Sequence, residues 1–125
     1  MNMILSIALG GAVGAVARHL LAGRVTHAFG IGFPYGTLLV NVLGSLIMGL
    51  LIITLATRFE LSQEWRGFIV VGVLGGFTTF STFSLETALL IERNELMQAA
   101  LYVGSSVLFS IIALFIGLWL GRLFA

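Results

Sequence analysis

Four apolar runs, joined by short polar connections, dictate what this 125-residue chain can become. A helix rises about 1.5 Å per residue, so roughly 20 residues cross the hydrocarbon layer of a bilayer. The runs extend from about Met3 to Ala22, Pro34 to Thr57, Trp65 to Leu90 and Leu96 to Leu123. The stretches between them, Gly23 to Phe33, Arg58 to Glu64 and Ile91 to Glu95, leave no room for a soluble domain or linker. The chain therefore reads as an all-α membrane protein, residues 1–125 forming a single four-helix transmembrane subunit. Composition agrees: 59% of residues are hydrophobic and 9% charged, well outside the soluble range. The charges are six arginines and five glutamates, nearly all at the ends of the runs. A net charge of +1 argues against a nucleic-acid partner, and the absence of cysteine excludes disulfides and thiolate metal sites. Two histidines, His19 and His27, are too few for a histidine metal cage. The first run lacks a basic leader, so it reads as a retained span and not a signal peptide.

The third run is interrupted at Gly75-Gly76-Phe77-Thr78-Thr79-Phe80-Ser81-Thr82-Phe83-Ser84. Adjacent glycines and β-branched threonines weaken a helix, and backbone groups released at membrane depth need protein or a water-lined cavity to satisfy them. The expectation is a helix broken at mid-membrane, with carbonyls and helix ends placed where an ion can use them, as in many transport proteins. Phe77, Phe80 and Phe83 recur every three residues and would share a face if the second half is helical. Lipid contact or core packing is the plainer account of such a stripe. Glu86 is the one carboxylate within the run, near its end.

The other runs carry small and polar residues at helical spacing. Gly10, Gly14 and Arg18 follow at steps of four in the first, where small residues allow close helix approach. Arg18 either snorkels to the headgroups or lines an aqueous vestibule that attracts anions. Thr37, Asn41, Ser45 and Gly49 make a stripe in the second run, and Tyr102, Ser106 and Ser110 one in the fourth. Asn41 alone reads as glue between helices, and a lone serine as a donor to its own backbone. Stripes on several helices together can enclose a polar path without any charge.

Arginines in the short connections count three against three, Arg58, Arg66 and Arg122 on one side and Arg18, Arg24 and Arg93 on the other. No orientation is favoured, so the chain is expected to insert both ways and close as an antiparallel homodimer with its two-fold axis in the membrane plane.

Gly10 to His19 (GGAVGAVARH), Gly36 to Gly49 (GTLLVNVLGSLIMG) and Gly72 to Glu86 (GVLGGFTTFSTFSLE) carry a resemblance to the Fluc/CrcB fluoride ion channels over essentially the whole chain. The resemblance implies an antiparallel dual-topology homodimer with two separate fluoride pores and a structural sodium ion (Na+) at its centre. It also implies passive efflux that protects microbes from fluoride, from a multi-pass position in the bacterial cytoplasmic (inner) membrane. Matched position by position, the sodium site falls on the backbone carbonyls of Gly75 and Thr78 from both subunits. The pore phenylalanines are Phe80 and Phe83, the pore asparagine is Asn41, and the polar track is Ser81, Thr82, Tyr102, Ser106 and Ser110, joined by Thr37 and Glu86. Arg18 matches the family's arginine after the first glycine motif.

Such residue types suit fluoride, whose tightly held water must be replaced by hydrogen-bond donors. A fixed cation would bind too long for conduction, whereas amide and hydroxyl donors and the electropositive edges of aromatic rings bind and release. A small dual-topology multidrug-type exporter would need a titratable group deep in the membrane, where only Glu86 comes close. A non-transporting scaffold would use the glycines and serines for packing alone. No nucleophile, base and stabiliser are grouped as an enzyme requires.

Overall fold

The computed structural model describes residues 2–124, which are helical with no strand among them. Helix α1, Met3–Phe29, opens on Asn2, whose side chain accepts from the Leu5 N–H at 2.7 Å, and ends at Gly30, where φ of 88° turns the chain out of the helix. It runs past Ala22, where the apolar run ends, because the polar turns carrying Arg24 and His27 stay helical beyond the hydrophobic stretch. Helix α2, Tyr35–Thr57, follows Pro34 at its cap.

The third span, Gln63–Glu92, is assembled from pieces. A first turn, α3 (Gln63–Arg66), is capped by the Ser62 hydroxyl, which accepts from the Trp65 N–H at 3.3 Å. A wider-wound π-helical segment follows over Gly67–Leu74, then one tight turn, α4 (Gly75–Phe77). Thr78 (φ −88°, ψ 155°) and Thr79 (φ −149°, ψ 120°) are extended. Helix α5, Phe80–Glu92, then starts afresh, its first turn capped by the Thr79 hydroxyl, which accepts from the Thr82 N–H at 3.2 Å. A turn with Asn94 at φ 60° leads into α6, Leu96–Leu123. All four spans are long and apolar enough to cross a membrane.

Packing divides the chain into two helix pairs: α1 lies along the π-helical segment and α4, and α2 along α6. Both seams are made of glycine. A methyl group at Gly72 would come within 2.8 Å of the Gly10 Cα, and one at Gly76 within 2.7 Å of the Gly11 carbonyl. In the other seam Gly49 and Gly117 lie against the backbones of Leu114 and Leu46. Backbone contact of this kind substitutes for the hydrophobic drive that lipid removes. After the break the third span leaves α1, and α5 leans on α6. There Leu90, Ala99 and Tyr102 form a small core with Phe33, Leu38 and Phe83. The outward side of α5 carries Phe80, Ser81, Ser84 and Leu85, all exposed in the isolated chain.

Candidate functional site

The interruption between α4 and α5 is held by one side chain. The Asn41 carboxamide on α2 accepts from the Thr79 N–H at 2.8 Å and donates through Nδ2 to the Thr79 carbonyl at 3.1 Å. The amide thus repairs the backbone pairing that the extended residue forfeits. This closes both groups of Thr79 at the cost of one Nδ2 hydrogen, and leaves the second hydrogen of Nδ2 available. Among the described residues no N–H or hydroxyl donates to the carbonyls of Gly75 or Thr78. Gly75 is exposed, and a methyl group there would meet nothing within 4 Å.

Beside this clasp lies a cavity of about 400 Å³, walled by α2, the break, α5 and α6. The two polar stripes meet in it: Asn41 and Ser45 from α2, Ser106 and Ser110 from α6, with Thr78, Thr79, Phe80 and Phe83 between them. Ser106 is 6% exposed and its hydroxyl has no partner, whereas its neighbour Ser105 spends its own on the Leu101 carbonyl at 2.6 Å. A buried hydroxyl left open is costly and therefore informative about what the cavity accepts. The Phe80 and Phe83 rings lie 5.5 Å apart at 48°. Phe77, before the break, is buried near Gly44 and shares no helix with them.

A second cluster continues from the first. Phe83 packs on Tyr102 with ring centroids 5.2 Å apart, and the Tyr102 hydroxyl donates to Glu86 Oε1 at 3.4 Å. Thr37 Oγ1 donates to the same carboxylate oxygen. Glu86 is thereby tied to α2 and α6 together.

Of the sequence-selected residues, Asn41, Phe80, Phe83, Ser106, Ser110 and Thr78 come together in the cavity. Thr37, Glu86 and Tyr102 form the adjoining cluster. Ser81 lies on the exposed side of α5, its hydroxyl 3.3 Å from that of Thr79, and Thr82 serves the cap through its N–H. Neither lines the cavity. Arg18 stays on α1 away from it, with Nε buried and unpartnered. Thr79 is the residue that the sequence pattern passed over, although a threonine three positions before Thr82 at a helix start is a capping signal.

Fold and cavity define a class: a multi-pass integral membrane protein in which neutral hydrogen-bonding groups from several spans converge on one open cavity. The chain belongs to the family described as CrcB-like protein, Camphor Resistance (CrcB), which it matches over residues 5–118. Its relatives include the fluoride-specific ion channel FluC of Chelativorans sp. (strain BNC1), 52% identical over 98% of both chains. The protein of the same name from Caulobacter vibrioides (strain NA1000 / CB15N) is 53% identical over 98% of this chain and 97% of its own. That of Hydrogenovibrio crunogenus (strain DSM 25203 / XCL-2) is 43% identical over 97% of this chain and 92% of its own. Membership makes the chain a transport protein and not an enzyme.

Proposed function

We propose that this chain is the subunit of a fluoride channel that works as an antiparallel, dual-topology homodimer and lets fluoride leave the cell passively. The observation that carries the reading is the meeting of the α2 and α6 polar stripes with Phe80 and Phe83 around an unpartnered, buried Ser106 hydroxyl. Near-full-length relatives called fluoride-specific channels support the choice of ion.

Fluoride entering the cavity exchanges water for the Ser106 and Ser110 hydroxyls, the second Asn41 Nδ2 hydrogen and the edges of Phe80 and Phe83. Each donor is neutral, so the ion is held well enough to enter and loosely enough to leave. From there Tyr102 and Thr37 carry the path on to Glu86, where their hydroxyls are already turned to the carboxylate. Rotating either hydroxyl from the carboxylate toward a passing fluoride exchanges one charge-assisted hydrogen bond for another, so the hand-over is nearly balanced. Arg18 contributes a positive potential in the approach to the pore.

The exposed Ser81 hydroxyl, paired only with that of Thr79, supports a second copy as the partner of α5, because an open hydroxyl is poorly matched to acyl chains; Ser84 already donates to the Phe80 carbonyl at 3.0 Å. The Gly75 and Thr78 carbonyls, which accept from no donor, fit a hard monovalent cation that prefers oxygen. In this reading they hold sodium, whose charge lowers the electrostatic barrier of nearby anion paths. The deciding experiment is fluoride efflux from liposomes holding the purified protein, with chloride as the control. Fluoride release without chloride release is expected, and vesicles that leak neither would overturn the proposal.

A further inference from the structure

A second cavity, of about 200 Å³, lies beyond Glu86, where Glu86 and Arg93 share its lining with the turn between α1 and α2. Glu86 is common to this cavity and to the cluster that leads back through Tyr102 and Phe83 to the larger one. The two cavities are therefore joined through one side-chain cluster: the larger cavity, then Phe83, Tyr102 and Glu86, then the cavity that Arg93 lines.

A carboxylate between two cavities is a poor neighbour for a travelling anion. Glu86 accepts from two hydroxyls, but those are dipoles and leave its charge in place. The Arg93 guanidinium is the one cation among the described residues that line the outer cavity. It is half exposed and loosely held: Nη2 lies 3.6 Å from Glu95 Oε2, across the turn where Asn94 has φ 60°. Glu95 has another suitor. With its amide nitrogen turned to them, Gln98 donates to Glu95 Oε2 at 3.1 Å and to the Gly32 carbonyl at 3.0 Å. An exposed ion pair of this length binds its members weakly, so Arg93 can serve the cavity as well as Glu95.

We infer that the cavity beneath Arg93 is an outer mouth of the pathway and a gathering site for small monovalent anions. Arg93 offsets the field of Glu86 there, and Glu95 sets how much of that charge an incoming ion meets. The inference rests on the channel reading above and adds to it a mouth and the pair of residues that controls it. Charge at a mouth acts through local ion concentration, so its effect fades as salt screens it, with a Debye length of about 30 Å at 0.01 M and about 10 Å at 0.1 M.

The test is fluoride efflux from liposomes at these two ionic strengths for the intact protein, Arg93→Gln and Glu95→Gln. Arg93→Gln is expected to slow efflux several-fold at low salt and Glu95→Gln to speed it, both differences shrinking at 0.1 M. Arg93→Lys should restore the intact rate, which a merely structural role for the guanidinium would not allow. Equal rates for all variants at low salt, or a loss in Arg93→Gln that is the same at both salts, would overturn the inference while leaving the channel reading intact, because the unaltered protein would still conduct. If the unaltered protein passes no fluoride, the channel reading fails and this one with it.

Discussion

Single side chains at the break and in the cavity have distinguishable duties. Asn41 binds Thr79 through both ends of its amide, so Asn41→Asp loses the Nδ2 donor and sets a carboxylate against the Thr79 carbonyl. Efflux assays should show fluoride flux abolished while size-exclusion chromatography still finds the assembled protein. Ser106→Ala removes a buried hydroxyl that has no protein partner. A hydrogen bond to a charged group contributes about 1.5–3 kcal/mol, so flux should fall roughly ten- to hundred-fold with folding stability kept. Ser105→Ala, one residue away, should leave flux unchanged because its hydroxyl already serves Leu101. The stripes were legible at this scale because a period of four survives in any straight helix. The dual role of Asn41 was not, since its partner Thr79 lies 38 positions along the chain and pairs through backbone groups that no side-chain pattern reports.

Among helices, the glycine seams are the joints on which the cavity is hung. Gly49→Ala would press a methyl group into the Leu114 carbonyl of α6, and Gly14→Ala would do the same at the Val73 carbonyl. Overpacking of this sort costs about 1–3 kcal/mol, so both should melt earlier in detergent than the unaltered chain. Gly104→Ala, with nothing within 4 Å, should melt as before or slightly later. Span positions could be read from hydropathy because the bilayer selects length and polarity alone. The continuation of α1 to Phe29 could not, since a helix can outrun its apolar stretch, and neither could the π-helical winding of Gly67–Leu74, the segment that packs along α1.

At the level of the whole molecule, the balanced arginines and the open Ser81 hydroxyl on the outer side of α5 lead to the same expectation. A reporter fused to the C-terminus should appear on both faces of the membrane, and its confinement to one face would rule out dual insertion. Phe80→Ile should leave that assembly intact yet stop fluoride efflux, because Phe80 lines the cavity and, exposed in the isolated chain, holds up none of the fold's core. Four spans were within reach of the sequence; the exchange of neighbours by the third span, from α1 before Thr78 to α6 after Phe80, became visible only in the folded chain. The α2 to α6 seam has one more effect. Gly49, one helical turn beyond Ser45, meets the main chain at Leu114, one turn beyond Ser110, so the height of α2 against α6 is set by peptide atoms and not by pliable side chains. A joint of this kind cannot slide without breaking main-chain contact, so Asn41 and Ser45 keep their height against Ser106 and Ser110 however the lipid around them changes.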